Sequence, residues 1–523
     1  MKKISPILLE IFKNRFSSIA EEMGIILQKS SYSVNIKERK DFSCGIFDKK
    51  GRLIAQAEHI PVHLGSMPMS VQKAIKEIKF EEGDIVILND PYKGGTHLPD
   101  ITLISPVFIK NSLEYFVANR AHHSDIGGIT AGSMPISTSI FQEGIIIPPV
   151  KLVEKGKLNN TIFKLLLNNT RTPYEREGDF KAQIASNNIG IERVKELIKE
   201  YDLKTSKTYQ NALIKYTQTI IESIIKKIPN GTYHFEDYME DDGHLSENIK
   251  ISLSLKIEES QAILDFSKSS PQVKGSINAV HSITLSSVIY VFRALAQKDI
   301  PTNDGCFRPI KVITKKNTIT DAQFPSAVAG GNVETSQRIV DVVLGALFKA
   351  IPEHIPAASQ GTMNNLSIGG INPENNQPFS YYETIGGGLG ASLKGDGESA
   401  IQSHMTNTLN TPIEAVEFEY PFLITQYSIR KNSGGNGLHK GGDGIIKEIQ
   451  FLTDVEVTIL SERRRIAPYG LAGGEPAKVG RNYKIFKNNR KKTLPSKIHL
   501  TLKKGEKIRI ETPGGGGYGK PTQ

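Results

Sequence analysis

The chain has 523 residues, of which 38% are hydrophobic and 23% are charged. This composition is typical of a globular protein, and the length predicts about three domains. No segment approaches the roughly 18 uninterrupted apolar residues of a membrane span, and Glu10, Lys13 and Arg15 interrupt any signal-peptide core, so we expect a cytoplasmic protein with no membrane partner. Cys44 and Cys306 are too few for a secreted disulfide framework and are expected to be buried, reduced thiols.

The formal net charge of +10 comes from one segment. Residues 481–510 contain eleven Lys or Arg residues and one acidic residue, Glu506, whereas the remainder of the chain is balanced. A basic strip can bind phosphate or an acidic partner, but it is more often the solvated face of a strand. No aromatic interleaving and no recognised nucleic-acid module accompany it, so we expect no nucleic-acid partner.

In chain order, the first predicted element is an amphipathic helix that begins at Ser5-Pro6, with apolar residues at positions 8, 12, 16, 19, 23 and 26. A hairpin follows over 41–56, and strands dominate up to position 150. From Thr172-Pro173 the pattern is helical, with an apolar stripe over 180–198 and a second helix over about 207–228. We expect both helices to pack on the sheet.

A strand-rich stretch covers 232–266, helices are predicted over 283–297 and 335–351, and glycine and strand signals dominate beyond them. The sequence therefore predicts an α+β fold with multi-layered mixed sheets, several packed helices, Gly-rich β segments and a β-rich C-terminal part. We expect an N-terminal α/β region with a candidate metal site over 1–230, a small β-rich domain with a helix over 231–330, and a Gly-rich α+β region over 331–523.

The most informative segment is a second predicted hairpin, which brings two imidazoles and a carboxylate together. An apolar stretch over 101–109 is followed by a polar turn at 110–112 and by aromatic and β-branched residues over 114–119. If residues 111 and 112 form the centre of the turn, Asp100 faces His123 and Ile101 faces His122. The hairpin then closes the gap in sequence between His97 and His122.

Two neutral imidazoles and one carboxylate, from His97, Asp100 and His122, can hold a divalent cation and leave positions free for water or substrate, as catalytic metals require. His97 and Asp100 would point to opposite faces of a straight strand, so the segment must bend, and Gly94-Gly95 and Pro99 make the bend plausible. The alternative is that these are ordinary polar residues of a hairpin end, which form hydrogen bonds and bind no metal.

Other polar groups have both a functional and a structural interpretation. Glu58-His59-x-x-x-His63 has the spacing of two ligands on a helix, but Pro61 makes a loop the more frequent outcome. His123 and Asp125 follow the candidate ligand His122 directly. They are candidates for catalytic acid/base groups, and equally for hydrogen-bonding groups at the end of a hairpin.

Two later segments are candidates for substrate binding. Residues 330–335 precede a helix, so free backbone N–H groups there, together with Asn332 and Thr335, could receive a carboxylate or phosphate, although a simple helix start is the favoured interpretation. His404 and Asn407 lie among carboxylates in a loop, as in a substrate-binding wall, and a satisfied polar loop explains them equally well.

Two further patterns favour structure over ligand binding. The run from Arg463 to Arg465 could bind an anionic substrate, but after a strand it is more often a solvated or ion-paired edge. The glycines at 386–390 and 514–517 lack the Lys-Ser/Thr of a phosphate-binding loop and are interpreted as turns that permit close backbone approach. No nucleotide site of known type is predicted in this chain.

Five longer motifs resemble the hydantoinase B/oxoprolinase family. They are NDPYKGGTHLPD (89–100), AHHSDIGG (121–128), VAGGNVETSQ (328–337), SHMTNTLNTP (403–412) and TPGGGGYG (512–519). The motifs are long, ordered and spread over nearly the whole chain. The family includes the second subunit of ATP-dependent N-methylhydantoinases, the corresponding half of 5-oxoprolinases, and the alpha subunits of acetone and acetophenone carboxylases.

The resemblance implies a hetero-oligomeric machine. A hydantoinase A-type partner would bind Mg-ATP and phosphorylate a carbonyl or amide oxygen, and this chain would complete the reaction. The resemblance also implies a divalent metal, Mn, Zn or Fe, held by a His-x-x-Asp and a later His, which His97, Asp100 and His122 match. The metal would act as a Lewis acid or activate water, and His123 or Asp125 would move protons.

The resemblance favours hydrolysis of a cyclic amide, a hydantoin or 5-oxoproline ring, because the chain is shorter than the carboxylase alpha subunits. ATP-dependent carboxylation of a ketone is the first alternative. The second is a non-haem metal oxygenase, which also uses two His and one carboxylate, although the His-x-x-Asp spacing and the absence of a jelly-roll pattern argue against it. The third is a non-catalytic interaction subunit with structural histidines.

Overall fold

The computed structural model describes residues 4–57, 60–296 and 300–521. Over these ranges it contains nine α-helices and twenty strands. The helices are α1 (Pro6–Ser30), α2 (Val34–Lys37), α3 (His63–Glu77), α4 (Asn160–Asn168), α5 (Pro173–Tyr201), α6 (Leu203–Ile225), α7 (His281–Ala294), α8 (Ser336–Phe348) and α9 (Ile413–Glu419). None of these helices is both long enough and apolar enough to cross a membrane.

The strands form four sheets over the described ranges. The first has the order β2 (Leu53–Ala57), β1 (Phe42–Asp48), β5 (Ser112–His122), β4 (Asp100–Ile109), β3 (Ile85–Leu88), β6 (Val150–Glu154), β7 (Lys157–Leu158). The second has the order β11 (Ile310–Ile313), β10 (Gln261–Asp265), β9 (Glu247–Glu258), β8 (Gly231–Asp241). The third has the order β13 (Pro378–Glu383), β12 (Asn365–Ile371), β16 (Val455–Leu460), β19 (Lys497–Leu502). The fourth has the order β14 (Phe422–Arg430), β15 (Gly444–Phe451), β20 (Lys507–Glu511), β17 (Arg481–Ile485), β18 (Lys491–Leu494).

This mixture of helices and layered sheets confirms the predicted α+β class. The predicted helices at the N-terminus, after position 172, near 283 and near 335 are all present, with ends that differ by a few residues. Helix α1 begins where predicted because the hydroxyl of Ser5 accepts a hydrogen bond from the Leu8 N–H, and because Pro6 has no backbone N–H that would need an acceptor in the first turn.

The first sheet is covered on both faces, which buries its central hairpin. Phe12, Phe16 and Met23 of α1 pack with residues of α5 against one face. Met67 and Val71 of α3 pack against the other face, where they meet inward-pointing residues of β3, β4 and β5. Alternate residues of β5 therefore enter two separate hydrophobic clusters, as the two-residue period of a strand requires.

The β4–β5 hairpin is present, but its predicted register is wrong by one residue. Lys110 and Asn111 both have positive φ angles, 48° and 66°, so they form the centre of a two-residue turn in place of residues 111 and 112. A bulge between Val107 and Phe108 then shifts the pairing. As a result Asp100 pairs with His122, and the two side chains lie on the same face of the sheet.

The largest hydrophobic cluster holds the first sheet against later parts of the chain. It contains residues from each of the three predicted regions, for example Ile101, Ile251 and Val340. One π-helical turn, Gly331–Thr335, leads into α8 from this core. A side chain at position 331 would lie 1.8 Å from the carbonyl oxygen of Asn278, so glycine permits this close approach. The turn delivers Asn332 to the end of the β4–β5 hairpin.

Four glycine-containing segments pack together near the third and fourth sheets, and we call them the glycine bundle (residues 386–390, 434–444, 470–475 and 513–519). Backbone hydrogen bonds connect the segments directly, from Gly515 N–H to Gly442 O (2.9 Å) and from Gly517 N–H to Glu475 O (2.9 Å). The close backbone approach agrees with the prediction. The structure has no turn at 386–390 or at 512–517, however, so the predicted turns are absent from these two segments.

Candidate metal centre

Three side chains at the open end of the β4–β5 hairpin converge on one point. His97 Nε2 lies 3.1 Å from Asp100 Oδ1, and His122 Nδ1 lies 3.2 Å from the same oxygen. The two imidazole nitrogens are 3.2 Å apart. Among the described residues, this is the group of His, Cys, Asp and Glu side chains with the geometry to hold a metal ion.

The geometry of this triad (His97, Asp100 and His122) fits a divalent cation. Ligand atoms that bind one ion at about 2.1 Å, with angles of about 90–109°, lie about 3.0–3.4 Å from one another. All three side chains are buried, and the other ring nitrogens, His97 Nδ1 and His122 Nε2, have no hydrogen-bond partner among the described residues. A shared cation would satisfy three facing lone pairs at once, and two nitrogens with one oxygen suit zinc, manganese or iron.

The local sequence explains how the three atoms meet. Asp100 and His122 are opposite each other in the β4–β5 pair, at the end where the hairpin opens. His97 belongs to a turn before β4 that is closed by a hydrogen bond from Asp100 N–H to His97 O (3.2 Å). The side chain of Asn89 donates to Leu98 O (2.8 Å) and anchors this turn. The segment therefore bends as its Gly and Pro content suggests.

Further residues fix the triad from outside. Asp100 Oδ2 accepts a hydrogen bond from Thr96 Oγ1 and lies 3.2 Å from His63 Nε2. Burial alone would raise the pKa of Asp100, but the facing imidazoles of His97 and His63 hold it well below its usual value. Burial lowers the pKa of His63, against the opposing charge of Asp100. Asn332 Nδ2 lies 3.1 Å from His97 Nε2, so the π-helical turn reaches the site directly.

A small cavity adjoins the triad. Its free volume is about 20 Å³, which is room for one water molecule. Its wall includes the carboxylate of Asp41 and the hydroxyl-bearing residues Thr384 and Thr408. Behind this wall the buried guanidinium of Arg39 donates to Thr384 Oγ1 (2.8 Å) and Thr408 Oγ1 (3.1 Å). A buried positive charge therefore lies one hydrogen bond away from the cavity.

The structure places His123 and Asp125 away from this cavity. His123 lies on the opposite face of the hairpin, where its Nε2 is 3.0 Å from Gln183 Oε1 and its ring stacks on Phe180. Burial, followed by the charge of Arg176, lowers the pKa of His123 to about 4. Asp125 accepts hydrogen bonds from the backbone and side chain of Arg171. Both residues hold the loop after β5, and their catalytic role remains a prediction.

The four predicted substrate-binding residues separate into different places. Asn332 lies at the triad, whereas the Thr335 hydroxyl is buried and donates to Ile277 O. His404 turns towards α8, with Nε2 3.5 Å from Asp341 Oδ1. Asn407 is exposed. The structure thus brings one of the four to the site, and the binding roles of the others remain predictions.

The first histidine pair and the arginine run are the remaining candidates. Glu58 and His59 lie outside the described residues. Arg463 is fully buried and pairs with Asp237 (2.8 Å) and Asp341 (2.7 Å). The ion-paired interpretation of the arginine run therefore holds for Arg463, although the residue is internal and does not lie at a solvated edge.

Sequence reasoning missed two neighbours of the triad. The ring of Tyr382, on β13, stacks on His122. Asp41 contributes a cavity carboxylate from the residue before β1, and its backbone oxygen accepts the His122 N–H (3.0 Å). Neither residue stands in one of the motifs, so pairing of β1 with β5 and packing of two sheets are needed to find them.

Comparison with known proteins agrees with the resemblance. The model of the hydantoinase B/oxoprolinase family matches residues 5–521. An uncharacterised protein of Methanocaldococcus jannaschii is 43% identical over 98% of this chain and 91% of its own length. The 5-oxoprolinase 1 of Arabidopsis thaliana is 44% identical over 98% of this chain, which spans only 41% of that relative.

The fold is shared with a solved enzyme. The crystal structure of the ATP-dependent caprolactamase from Pseudomonas jessenii superposes with a TM-score of 0.93, at 28% identity, over 99% of this chain and 92% of that chain. The match therefore covers all four sheets of the described structure. Together with the whole-length family match, it shows that this chain belongs to the hydantoinase B/oxoprolinase family.

Proposed function

We propose that this chain is the catalytic B-type subunit of an ATP-dependent cyclic-amide hydrolase that opens 5-oxoproline or a closely related ring. One observation carries the proposal: a buried His-Asp-His triad with metal-binding geometry adjoins a polar cavity in a chain 44% identical to a 5-oxoprolinase. The other family activity considered, ketone carboxylation, has less support because several named relatives at 40–44% identity are 5-oxoprolinases.

We propose a separate A-type partner that binds Mg-ATP. The chain spans about two fifths of the length of the 5-oxoprolinases that it matches, so those proteins carry a further large region in the same polypeptide. The relative from Methanocaldococcus jannaschii has nearly the extent of this chain, which supports a free-standing form. No phosphate-binding loop is predicted here, so ATP use is assigned to the partner.

In the proposed reaction, the partner phosphorylates the ring carbonyl oxygen and this chain completes the hydrolysis. His97, Asp100 and His122 would hold the divalent cation, which when bound supplies Lewis acidity and makes water more acidic. Because the cavity has room for one water molecule, entry of a ring substrate requires its wall to open, and Asn332 and the hydroxyls of Thr384 and Thr408 would then orient the substrate. The Arg39 charge behind the two threonines favours an anionic substrate, either the phosphorylated oxygen or a ring carboxylate.

Proton transfer needs a titratable group on the cavity wall. Apart from the triad, Asp41, His63 and Tyr382 are the titratable side chains there among the described residues, and burial raises the pKa of the Tyr382 hydroxyl well above its usual value. The one side-chain hydrogen bond described for the Asp41 carboxylate is a long one, from Asn35 Nδ2 (3.4 Å). We therefore assign Asp41 as the group that takes a proton from the attacking water and returns it to the ring nitrogen as the C–N bond breaks. The ring opens to an amine and an acyl phosphate, and a second water then releases inorganic phosphate and leaves the free carboxylate.

The test is reconstitution with an A-type chain. We expect the reconstituted pair to convert 5-oxoproline to glutamate in an ATP-dependent reaction, which chromatography of the products measures. We expect no turnover by this chain alone. Asp41→Asn should lower kcat by about 10²–10⁴-fold, the range of general acid/base catalysis. Asp396→Asn, at an exposed aspartate, is the control.

Three results would contradict the proposal or a part of it. ATP-dependent turnover without any partner would remove the two-subunit assignment. Oxygen uptake without ATP would favour the oxygenase alternative. Full activity of Asp41→Asn, together with loss of activity in His123→Gln or Asp125→Asn, would assign proton transfer to His123 or Asp125.

A further inference from the structure

His63 has a place in the site that neither the motifs nor the family match assigns. It is the first residue of α3, and its side chain is fully buried between the first strand and the central hairpin. Its ring nitrogens face opposite partners: Nδ1 lies 3.0 Å from Ser43 Oγ on β1, and Nε2 lies 3.2 Å from Asp100 Oδ2 on β4. The imidazole therefore bridges a hydroxyl and a carboxylate.

The hydrogen-bond directions follow from Ser43. Its Oγ accepts a hydrogen bond from the backbone N–H of Ile60 (3.4 Å), so the hydroxyl hydrogen is available for His63 Nδ1. An imidazole that accepts at Nδ1 carries its hydrogen at Nε2 when it is neutral. His63 then donates from Nε2 to Asp100, and Ser43 fixes the tautomer that makes this possible.

The two oxygens of Asp100 have separate environments as a consequence. Oδ2 receives hydrogen bonds from His63 and Thr96, whereas Oδ1 faces His97 Nε2 at 3.1 Å and His122 Nδ1 at 3.2 Å. We infer that His63 is a positioning residue: with Thr96 it occupies Oδ2, fixes the carboxylate plane, and leaves Oδ1 as the single oxygen offered to a cation. Outer hydrogen-bond partners of this kind contribute 10–100-fold to metal affinity.

The arrangement distinguishes positioning from ligation. The cluster of ligand atoms that lie within 4.8 Å of one another contains His97, Asp100 and His122 and does not include His63. A nitrogen that donates its hydrogen to Asp100 has no lone pair for a metal. This inference rests on the proposed metal site, so its test separates failure of the site from failure of the role given to His63.

The test measures Zn²⁺ affinity on the metal-stripped full chain by competition with a chelator. His63→Leu should weaken Zn²⁺ binding by about 10–100-fold. His63→Gln should restore affinity to within about 3-fold of wild type, because the glutamine amide presents an N–H near the position of Nε2. His281→Leu is the matched control, since His281 also pairs through Nδ1 with a hydroxyl, Thr314 Oγ1 (3.1 Å), away from the triad.

Ser43→Ala provides a second test that leaves the imidazole in place. Loss of the hydroxyl removes the bias towards the Nε2–H tautomer, so we expect several-fold weaker Zn²⁺ binding with little change in the melting temperature of the metal-free protein. This variant keeps the inference testable if His63→Leu does not fold.

Each outcome has a defined meaning. If wild type does not bind Zn²⁺, Mn²⁺ or Fe²⁺, the proposed metal site is wrong. If wild type binds and His63→Leu or Ser43→Ala binds equally well, the site stands and the positioning role is wrong. If His63→Gln is as weak as His63→Leu, His63 is itself a ligand, which also overturns the inference.

Discussion

The imidazole of His122 and the phenol ring of Tyr382 lie face to face, with ring centroids 4.6 Å apart and planes inclined by 15°. Tyr382 belongs to the third sheet and His122 to the first, so a residue of one sheet fixes a candidate ligand on the other. The Tyr382 hydroxyl donates to Asn365 Oδ1 (2.8 Å) and holds the ring in this position.

Replacement of Tyr382 should therefore affect both stability and metal binding. Tyr382→Ala removes a fully buried ring and should cost about 3–5 kcal/mol, seen as a lower melting temperature, together with weaker Zn²⁺ binding. Tyr382→Phe keeps the ring and loses one hydrogen bond, at a cost of about 1–3 kcal/mol. Equal Zn²⁺ affinity in wild type and Tyr382→Ala would show that the stacking does not orient His122.

Removal of one ligand should abolish metal binding. His97→Ala, prepared and dialysed like wild type, should contain almost no bound metal by elemental analysis, because two remaining ligands hold a divalent ion poorly. His499→Ala is the control, since His499 is an exposed histidine bonded to Thr458 on the third sheet. Equal metal content in His97→Ala and wild type would support the non-catalytic interpretation of these histidines.

Glu334 should make thermal stability depend on pH. Burial raises its pKa to about 8, while one carboxylate oxygen accepts hydrogen bonds from Met363 N–H and Asn365 Nδ2. Between its ordinary pKa and about 8 the folded protein binds a proton that the unfolded chain has released, so a rise in pH favours unfolding. The stability that protonated Glu334 gives the folded protein is present at low pH and is lost by pH 8.

The melting temperature of wild type should accordingly fall more steeply between pH 5 and pH 8 than that of Glu334→Gln, which cannot ionise. The loss of unfolding free energy due to Glu334 over this pH range amounts to at most a few kcal/mol, since one pKa unit corresponds to about 1.4 kcal/mol. Glu374→Gln, at an exposed glutamate, should follow wild type. Parallel pH profiles of wild type and Glu334→Gln would refute this prediction.

Arg463 should be essential for folding and have no direct part in catalysis. It is the shared partner of the buried carboxylates of Asp237 and Asp341. Arg463→Met removes this positive charge from both carboxylates and should lower the free energy of unfolding by about 3–5 kcal/mol. Arg465→Met, at the half-exposed end of the same run, should cost less than about 1 kcal/mol. Similar melting temperatures for the two variants would contradict the internal role of Arg463.

Gly515 should tolerate no side chain. A Cβ at this position would lie 1.9 Å from the carbonyl oxygen of Leu389, which belongs to another segment of the glycine bundle. Gly515→Ala should therefore yield aggregated protein or a markedly lower melting temperature. Gly231→Ala is the control, because its nearest neighbour would be the flexible Tyr233 side chain at 3.2 Å. A soluble Gly515→Ala protein with unchanged stability would refute the close packing.

The sequence predicts the elements better than their contacts. The periodic segments from Ser5 and from Thr172 become α1 and α5 because each has a buried apolar stripe and a start signal. The hairpin with Asp100 and His122 is also predictable from composition. Its register is not, because the turn begins one residue earlier than predicted and a bulge between Val107 and Phe108 then reverses half of the resulting shift, and neither feature has a signal as strong as Asn-Gly.

The surroundings of the triad are harder to predict for a physical reason. His63 and Tyr382 reach the site through helix packing and sheet packing between segments far apart in sequence, and no local spacing encodes such contacts. The motif residues His123 and Asp125 illustrate the converse: they are adjacent to a ligand in sequence, but the alternation of side chains along β5 places His123 on the other face.

The glycine bundle has a consequence for synthesis of the protein. The carbonyl of Ala358 and those of residues 442 and 475 accept hydrogen bonds from Gly515, Gly516 and Gly517, and these acceptors leave the ribosome before their donors do. During translation, these acceptor carbonyls are therefore hydrogen-bonded to water or covered by a chaperone until their donors are synthesised. Assembly of this part of the molecule is therefore completed only after residue 517 has emerged, whatever the speed at which the first sheet forms.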